Sequence, residues 1–454
     1  MAVWIGLFLT YKWFWGDAFA FPYKSFYLTV VLGYIFVIVF QSISENRIQK
    51  SWSIIWYIFW GIILLQVYGK IQLLGYGDQA QLADMMMRGV VFPRWMGGSA
   101  LLLYGYRFWT SIPNLSIYAA DFHVVTTYAK VFGGVVMMFI SINLLKKWPN
   151  RMSVILPLAA PIYLMFSIGY DEYYPFVAGM LLVFLMNVIE KDPTSQNVHW
   201  LGFFVEESGQ LPARRIGHTW QNVYWLGFLL AILPVFYFPF LIISLIVLAY
   251  YWFFYSSIRW KLLLTFVSVY ILSVYLFWPS GQDKYISSVF FTINTGDTYL
   301  FFTRYLGQAA DDSIFFSLKN VTTWQHFSDL SYMFFWSGNL VNGILLGYGI
   351  YQLAAKRILR KFITAPRSLL LILLFAWQLF YFVFMIPRLG PRIDIDLFFS
   401  FYICLAFTTG YILDFIKNQA QLDYRIDDIV IPAVAANAVV ALFFLVIIGI
   451  PEII

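Results

Sequence analysis

Cysteine is almost absent. Cys404 is the only thiol in 454 residues, which excludes an internal disulfide framework and a cysteine-built metal site within the chain. Histidine is scarce as well, limited to His123, His199, His218 and His326, and no zinc-type spacing links them. Charged residues make up 11% of the chain, too few to cover a soluble domain. A glycine-rich phosphate loop, a dinucleotide fingerprint and a Gly-x-Ser-x-Gly elbow are all missing, so nucleotide hydrolysis and serine-hydrolase chemistry have no foothold. No internal repeat stands out, which disfavours transporter folds built from duplicated halves.

What fills the chain instead is apolar. Hydrophobic residues reach 61% and aromatic residues 21%, with a mean hydropathy of +0.74. Stretches of roughly 17 to 22 apolar residues recur along the length, each able as a helix to cross about 30 Å of hydrocarbon. Clear spans are expected at roughly 25–43, 52–73, 123–144, 153–170, 174–189, 222–238, 240–256, 260–278, 332–353, 368–386, 397–416 and 429–449. Val3 to Trp15 lacks a signal-cleavage pattern and reads as a short first helix. The expected fold class is therefore all-α: one integral membrane domain over 1–454, with about 12–13 transmembrane helices. Its partner throughout is the lipid bilayer. The formal charge of +6 does not imply nucleic acid, because the basic residues sit in short loops and form no continuous face.

Loop charge assigns the sides, since Lys and Arg are retained in short cytoplasmic loops. Arg47 and Lys50, Lys146 to Arg151, Arg214 and Arg215, Arg259 and Lys261, Lys356 to Arg367, and Lys417 form the cytoplasmic set. The opposite set is acidic, running from Asp78 and Asp84 through Asp121, Asp171, Glu172, Asp283, Asp297, Asp311, Asp312 and Asp329 to Asp394 and Asp396. Two outer segments, 75–122 and 279–331, are too long to be simple turns, and connections of that length usually carry function. In the first, Gln79 to Val90 suits a short helix. Gly97 to Trp109 suits an interfacial stretch, with Trp95, Tyr104, Tyr106 and Trp109 at headgroup level. On the cytoplasmic side, Glu190 to Asn222 is a polar segment interrupted by Pro193, Pro212 and Gly217.

Four places in the outer set can carry chemistry. Gly75-Tyr76-Gly77-Asp78 puts a carboxylate on a glycine-flexed turn where a span emerges, so it can stay ionised while facing a lipid-borne substrate, as a general base must. A helix-ending turn with a solvated Asp has the same pattern. Gly169-Tyr170-Asp171-Glu172-Tyr173-Tyr174-Pro175 sets adjacent carboxylates among tyrosines at the hydrocarbon boundary, suited to acceptor positioning, to a divalent metal or to pairing with Arg. An ordinary polar hairpin anchored by tyrosines reads the same way. Pro387-Arg388-Leu389-Gly390-Pro391-Arg392-Ile393-Asp394-Ile395-Asp396 holds two arginines and two aspartates on a proline-stiffened turn. Guanidinium groups there can grip a phosphate while Asp394 and Asp396 orient them, and a mutual ion-pair cluster is the plainer alternative. His326 and Asp329 lie three apart, one helical turn, which permits substrate binding, a metal or an acid/base pair; two ligands alone do not make a site, and a capped juxtamembrane helix is the reading favoured over these.

A span, a Gly-Asp turn, a long first outer loop with interfacial helices and many further spans together resemble the GT-C superfamily of membrane glycosyltransferases. Gly77-Asp78, then Phe92-Pro93 and the apolar run to Trp109, are similar to the first outer loop of bacterial O-mannosyltransferase-like members. The 169–175 string, His326 with Asp329, and the Arg388 to Asp396 turn look like features of other bacterial members. The resemblance implies a sugar moved from a polyprenyl-phosphate-linked donor to a glycan, lipid or protein acceptor. The reaction would be an inverting displacement on the non-cytoplasmic face of a bacterial inner membrane. Asp78 would then be the base and Arg388 or Arg392 the holder of the carrier phosphate. Two departures stand: Gln79 follows Asp78 where many members carry a second acidic residue, and Asp78 comes after the second or third span rather than the first. A glycan polymerase or ligase also uses outer arginines near lipid diphosphates. A transporter or flippase would instead place its charges near the bilayer midplane.

Overall fold

The computed structural model describes residues 96–110, most of 133–148, 151–169, 174–190, 218–277 apart from 238, 319–336, 339–386, 398–420, and residues 432, 433, 436 and 437. The expected spans at 25–43 and 52–73, the N-terminal helix, most of 429–449 and the Gln79 to Val90 helix lie outside these residues. Every regular element among the described residues is helical. In chain order they are α1 (Met96–Thr110), α2 (Met152–Leu158), α3 (Pro161–Gly169), α4 (Tyr174–Leu185) continued by a π turn (Met186–Glu190), α5 (His218–Phe236), α6 (Phe240–Phe254), α7 (Arg259–Leu276), α8 (Trp324–Trp336), α9 (Asn339–Ala355), α10 (Leu359–Thr364), α11 (Pro366–Phe384) and α12 (Phe399–Ala420). Helical residues also run through 133–147.

Among the described residues, three helices are long and apolar enough to cross a bilayer: α7, α11 and most of α12. The stretches Tyr174–Ile189, Val223–Phe236 and Phe240–Phe254 are apolar and shorter. The chain is an all-α integral membrane protein.

Two expected spans differ in outline. The one expected at 153–170 is broken into α2 and α3 at Ala159 and Ala160. Pro161 has no N–H to offer the preceding turn and disfavours a helical conformation at Ala160, so the chain closes with Ala160 N–H on Pro157 O at 3.1 Å and restarts. The span expected at 332–353 begins at Asn339 instead, because residues 332–336 belong to α8, the helix that carries His326 and Asp329.

Loop charge defines a basic and an acidic end for each span, and the contacts sort the helix ends the same way. At the basic end, the Asp414 carboxylate in the last turns of α12 accepts three hydrogen bonds from the start of α2. They come from Met152 N–H (2.9 Å), Ser153 N–H (3.0 Å) and the Ser153 hydroxyl (2.9 Å). The first N–H groups of a helix have no partner within it, and a buried helix start needs such acceptors. Among the described residues Asp414 is the one fully buried carboxylate. The approach that allows this is set one turn earlier, where a Cβ on Gly410 would lie 2.2 Å from the Met152 carbonyl oxygen. Lys361 of α10 also donates to Gln419 of α12 at this end. The chain re-enters after α9 through Arg357, held at φ 58°, where Ile358 N–H returns to Leu353 O and Arg357 N–H to Ala354 O.

Between the ends, small polar side chains fasten apolar helices to one another. Ser244 donates to Leu230 O (2.8 Å) between α6 and α5. Ser400 donates to Gln378 Oε1 (2.7 Å) between α12 and α11. Ser141 and Tyr163 share a hydrogen bond of 3.0 Å. Lipid offers helices no hydrophobic reason to associate, so close packing and such bonds supply it. The apolar helix α1 meets the acidic ends of two others: Gly97 lies under Phe236 at the end of α5, and Ala100 and Leu103 pack with Val274 and Phe277 at the end of α7.

Replacing Asp414 by alanine strands three buried donors, and we expect it to lower stability by about 3 kcal/mol. Asp414→Asn keeps one carbonyl acceptor and loses less. Gly410→Ala, whose new methyl would meet backbone rather than a movable side chain, should fail to assemble. Thermal unfolding of detergent-solubilised protein measures all three, and a wild-type midpoint for Asp414→Ala would exclude the carboxylate as the anchor.

Candidate functional site

Three of the four candidate places, those of Asp78, of Asp171 and Glu172, and of Arg388, Arg392, Asp394 and Asp396, have these residues outside the described ones. The helix ends that bracket two of these connections are described, and they pack on one another. Phe399, which opens α12 three residues after Asp396, is fully buried against four rings. Their centroids lie at 5.5 Å (Tyr174), 5.7 Å (Tyr237), 5.8 Å (Phe166) and 5.9 Å (Phe240). Phe166 and Tyr174 belong to the two helices flanking Asp171 and Glu172, and they stack at 6.0 Å with 16° between planes. Tyr237 and Phe240 occupy the short turn between α5 and α6, edge to face at 5.1 Å. Tilted and edge-on arrangements are those aromatic quadrupoles prefer, and aromatic side chains in general bury roughly 150–250 Å² each.

The neighbouring residue, Phe398, points the same anchor toward α11. It lies 5.4 Å from Phe382, edge to face, and Phe382 in turn stacks on Phe401 at 4.3 Å. Both flanks of the arginine turn are thereby fixed, the upstream one through α11 and the downstream one through Phe398 and Phe399. The Tyr237 and Tyr381 hydroxyls meet at 3.3 Å, which ties the α5–α6 turn to the end of α11.

His326 joins this end from α8. Its ring is buried, and Nε2 lies 2.7 Å from the carbonyl oxygen of Val383, the penultimate residue of α11. That geometry makes Nε2–H the donor and leaves Nδ1 as an acceptor, and Nδ1 is buried without a hydrogen-bond partner among the described residues. Burial holds the imidazole below its ordinary value of 6.5, and the Val383 carbonyl opposes that shift. Asp329 follows one turn later on the same helix, partly buried. The start of α8 is capped: Thr323 Oγ accepts from His326 N–H at 3.2 Å and donates to Asn320 O at 2.7 Å. On its other side α8 exposes Trp324 and Phe327, whose rings lie 5.3 Å apart, as befits a helix at the interface. The capped-helix expectation and the placement of both polar side chains on one turn hold together in this element.

Among the described residues no group of three His, Cys, Asp or Glu side chains comes together. Asp414 is the buried ionisable group that sequence patterning passed over. An aspartate inside the apolar run Gly410 to Ile416 was its signal.

No family model matches the chain, and no curated protein matches it. Among solved structures it is similar to the crystal structure of ArnT from Cupriavidus metallidurans bound to undecaprenyl phosphate. The two share 11% identity with a TM-score of 0.48, over 87% of this chain and 77% of that one.

Because His326 is kept neutral by burial, its folded value lies below its unfolded one, and acid places a proton on the unfolded chain first. The stability this contributes is complete above about pH 6.5 and is lost as pH falls below it. We expect the unfolding midpoint to drop between pH 7.5 and 5. In His326→Gln, which can still donate to Val383 O without titrating, that drop should be smaller. Equal pH dependence in the two proteins would remove His326 as its source.

Proposed function

We propose that this chain is a GT-C-type membrane glycosyltransferase that moves a sugar from a polyprenyl-phosphate-linked donor to a glycan, lipid or protein acceptor at the acidic, non-cytoplasmic end of the bundle. One observation carries this reading. The helix ends flanking Asp171 and Glu172 and those flanking the Arg388 to Asp396 turn share one aromatic layer, and buried His326 is bonded to Val383 O at the end of α11. The helix ends leading into acidic and basic segments more than two hundred residues apart in sequence therefore pack together, which supports a shared site for a lipid-linked substrate and a polar acceptor.

The roles follow from the chemistry. Asp78 takes the proton of the acceptor hydroxyl as its oxygen attacks the anomeric carbon. The bond from that carbon to the carrier phosphate breaks on the opposite face, with inversion. Charge accumulates on the departing polyprenyl phosphate, and Arg388 and Arg392 suit it by paired hydrogen bonds, with Asp394 and Asp396 holding the guanidinium groups in place. Asp171 and Glu172 position the acceptor or hold a divalent ion, and His326 with Asp329 closes the substrate side. Transport without chemistry is less well supported, because Asp414, the buried carboxylate among the described residues, is engaged by three hydrogen bonds to a helix start.

Native mass spectrometry of the purified protein should show a copurified polyprenyl phosphate or polyprenyl-phosphosugar that disappears in Arg388→Ala/Arg392→Ala. Asp78→Asn should keep that lipid and lose about 100-fold or more in turnover on the native glycan. Assays with and without EDTA separate the two roles of Asp171 and Glu172. Bulk phospholipid alone in every sample, or full activity in Asp78→Asn, would defeat the proposal, and a product longer by whole repeat units would reassign it to a polymerase.

A further inference from the structure

Midway along α12, away from both ends, lies a second polar feature with no part in the proposed transfer. Asn342 of α9 and Asn437 of the C-terminal segment are both fully buried, and Asn437 Nδ2 donates to Asn342 Oδ1 at 3.3 Å. Thr409 of α12 donates to Leu405 O at 2.8 Å and lies 3.2 Å from the Asn342 carbonyl. The other half of each amide is buried with no hydrogen-bond partner among the described residues: Asn342 Nδ2, a donor, and Asn437 Oδ1, an acceptor.

A carboxamide left half-satisfied away from water is destabilising, so two such groups side by side point to a polar ligand. The leftover chemistry names its class. A cation would face the Asn342 N–H groups and an anion the Asn437 oxygen, so neither charge fits. A neutral hydroxyl that accepts from one amide and donates to the other satisfies both. The conclusion does not depend on which way the amides are turned, because flipping the pair together again leaves one donor and one acceptor. Flipping one alone would set like atoms against each other. Since both asparagines are fully enclosed, only the smallest such ligand enters.

We propose that Asn342 and Asn437 enclose an internal water site between α9, α12 and the C-terminal segment, a neutral polar joint within the membrane. A water there holds the C-terminal segment to α9 through two hydrogen bonds in addition to the direct amide contact.

A cryo-EM map of the full-length protein at water-resolving resolution tests this directly. The expected result is a density peak about 2.7–3.2 Å from both Asn342 Nδ2 and Asn437 Oδ1, absent in Asn437→Leu. A thermal-shift series in sodium, lithium, potassium and choline chloride at constant ionic strength should give one midpoint in all four salts. Two amides closed face to face with no density between them would overturn the proposal. So would a midpoint that rises saturably with sodium, which would make the site a cation site.

Discussion

The contact on which the bundle most depends is the one between the Asp414 carboxylate and the first N–H groups of α2. A helix beginning inside an apolar environment leaves donors that neither lipid nor a neighbouring leucine can satisfy. The chain meets this with a side chain 261 residues away, and it can do so only because Gly410 lets the two backbones approach within methyl distance. The requirement is mutual, since the same donors are what make a buried carboxylate tolerable. Once α2 and α12 are locked, the rest of α12 is committed. It is almost wholly enclosed by other helices, whereas α7 turns most of its surface outward, and α9, α11 and the α3–α4 hairpin find their places around it.

From that lock the acidic end follows. With α12 fixed at its basic end, its first residues present Phe398 and Phe399 to different neighbours, and rings of α3, α4, α11 and the α5–α6 turn settle on them. The ends of the molecule thus differ in kind. The basic end is held by a charged acceptor and a few strong hydrogen bonds, whereas the acidic end is held by aromatic area and long-range shape. Aromatic packing roots the described helix ends that flank the two outer connections.

His326 shows how the two modes meet. It was prominent in the sequence as one of four histidines and as the partner of Asp329 by spacing. In the fold its Nε2 proton is directed to the last turn of α11, so the residue that looked like a free ligand is also a fastening. Only Nδ1 is left to act on anything else, and burial keeps it neutral.

Much was legible before the fold. Hydropathy alone located α5, α6, α7, α11 and α12 to within a few residues, because a helix that must cross lipid is written as an apolar run of fixed length. Loop charge sorted the helix ends into two sets, and the contacts at each end respect that sorting. Local chemistry was less complete. Pro161 was visible, yet the break it causes in the span expected at 153–170 emerges only when the hydrogen bonds around Ala160 are followed. The start of α9 was displaced because α8 is apolar enough to merge with it by composition. Asp414, Gly410 and the Asn342–Asn437 pair carried no local sign of their partners, since each is defined by a residue on a distant helix. The sequence by itself determined that this is a helical protein of the membrane with acidic and basic ends, because lipid dictates length and apolarity residue by residue. Which polar groups are satisfied, and which segments share an end, only the tertiary structure decided, because hydrogen bonds and ring contacts between helices depend on register and crossing, which no single stretch of chain contains.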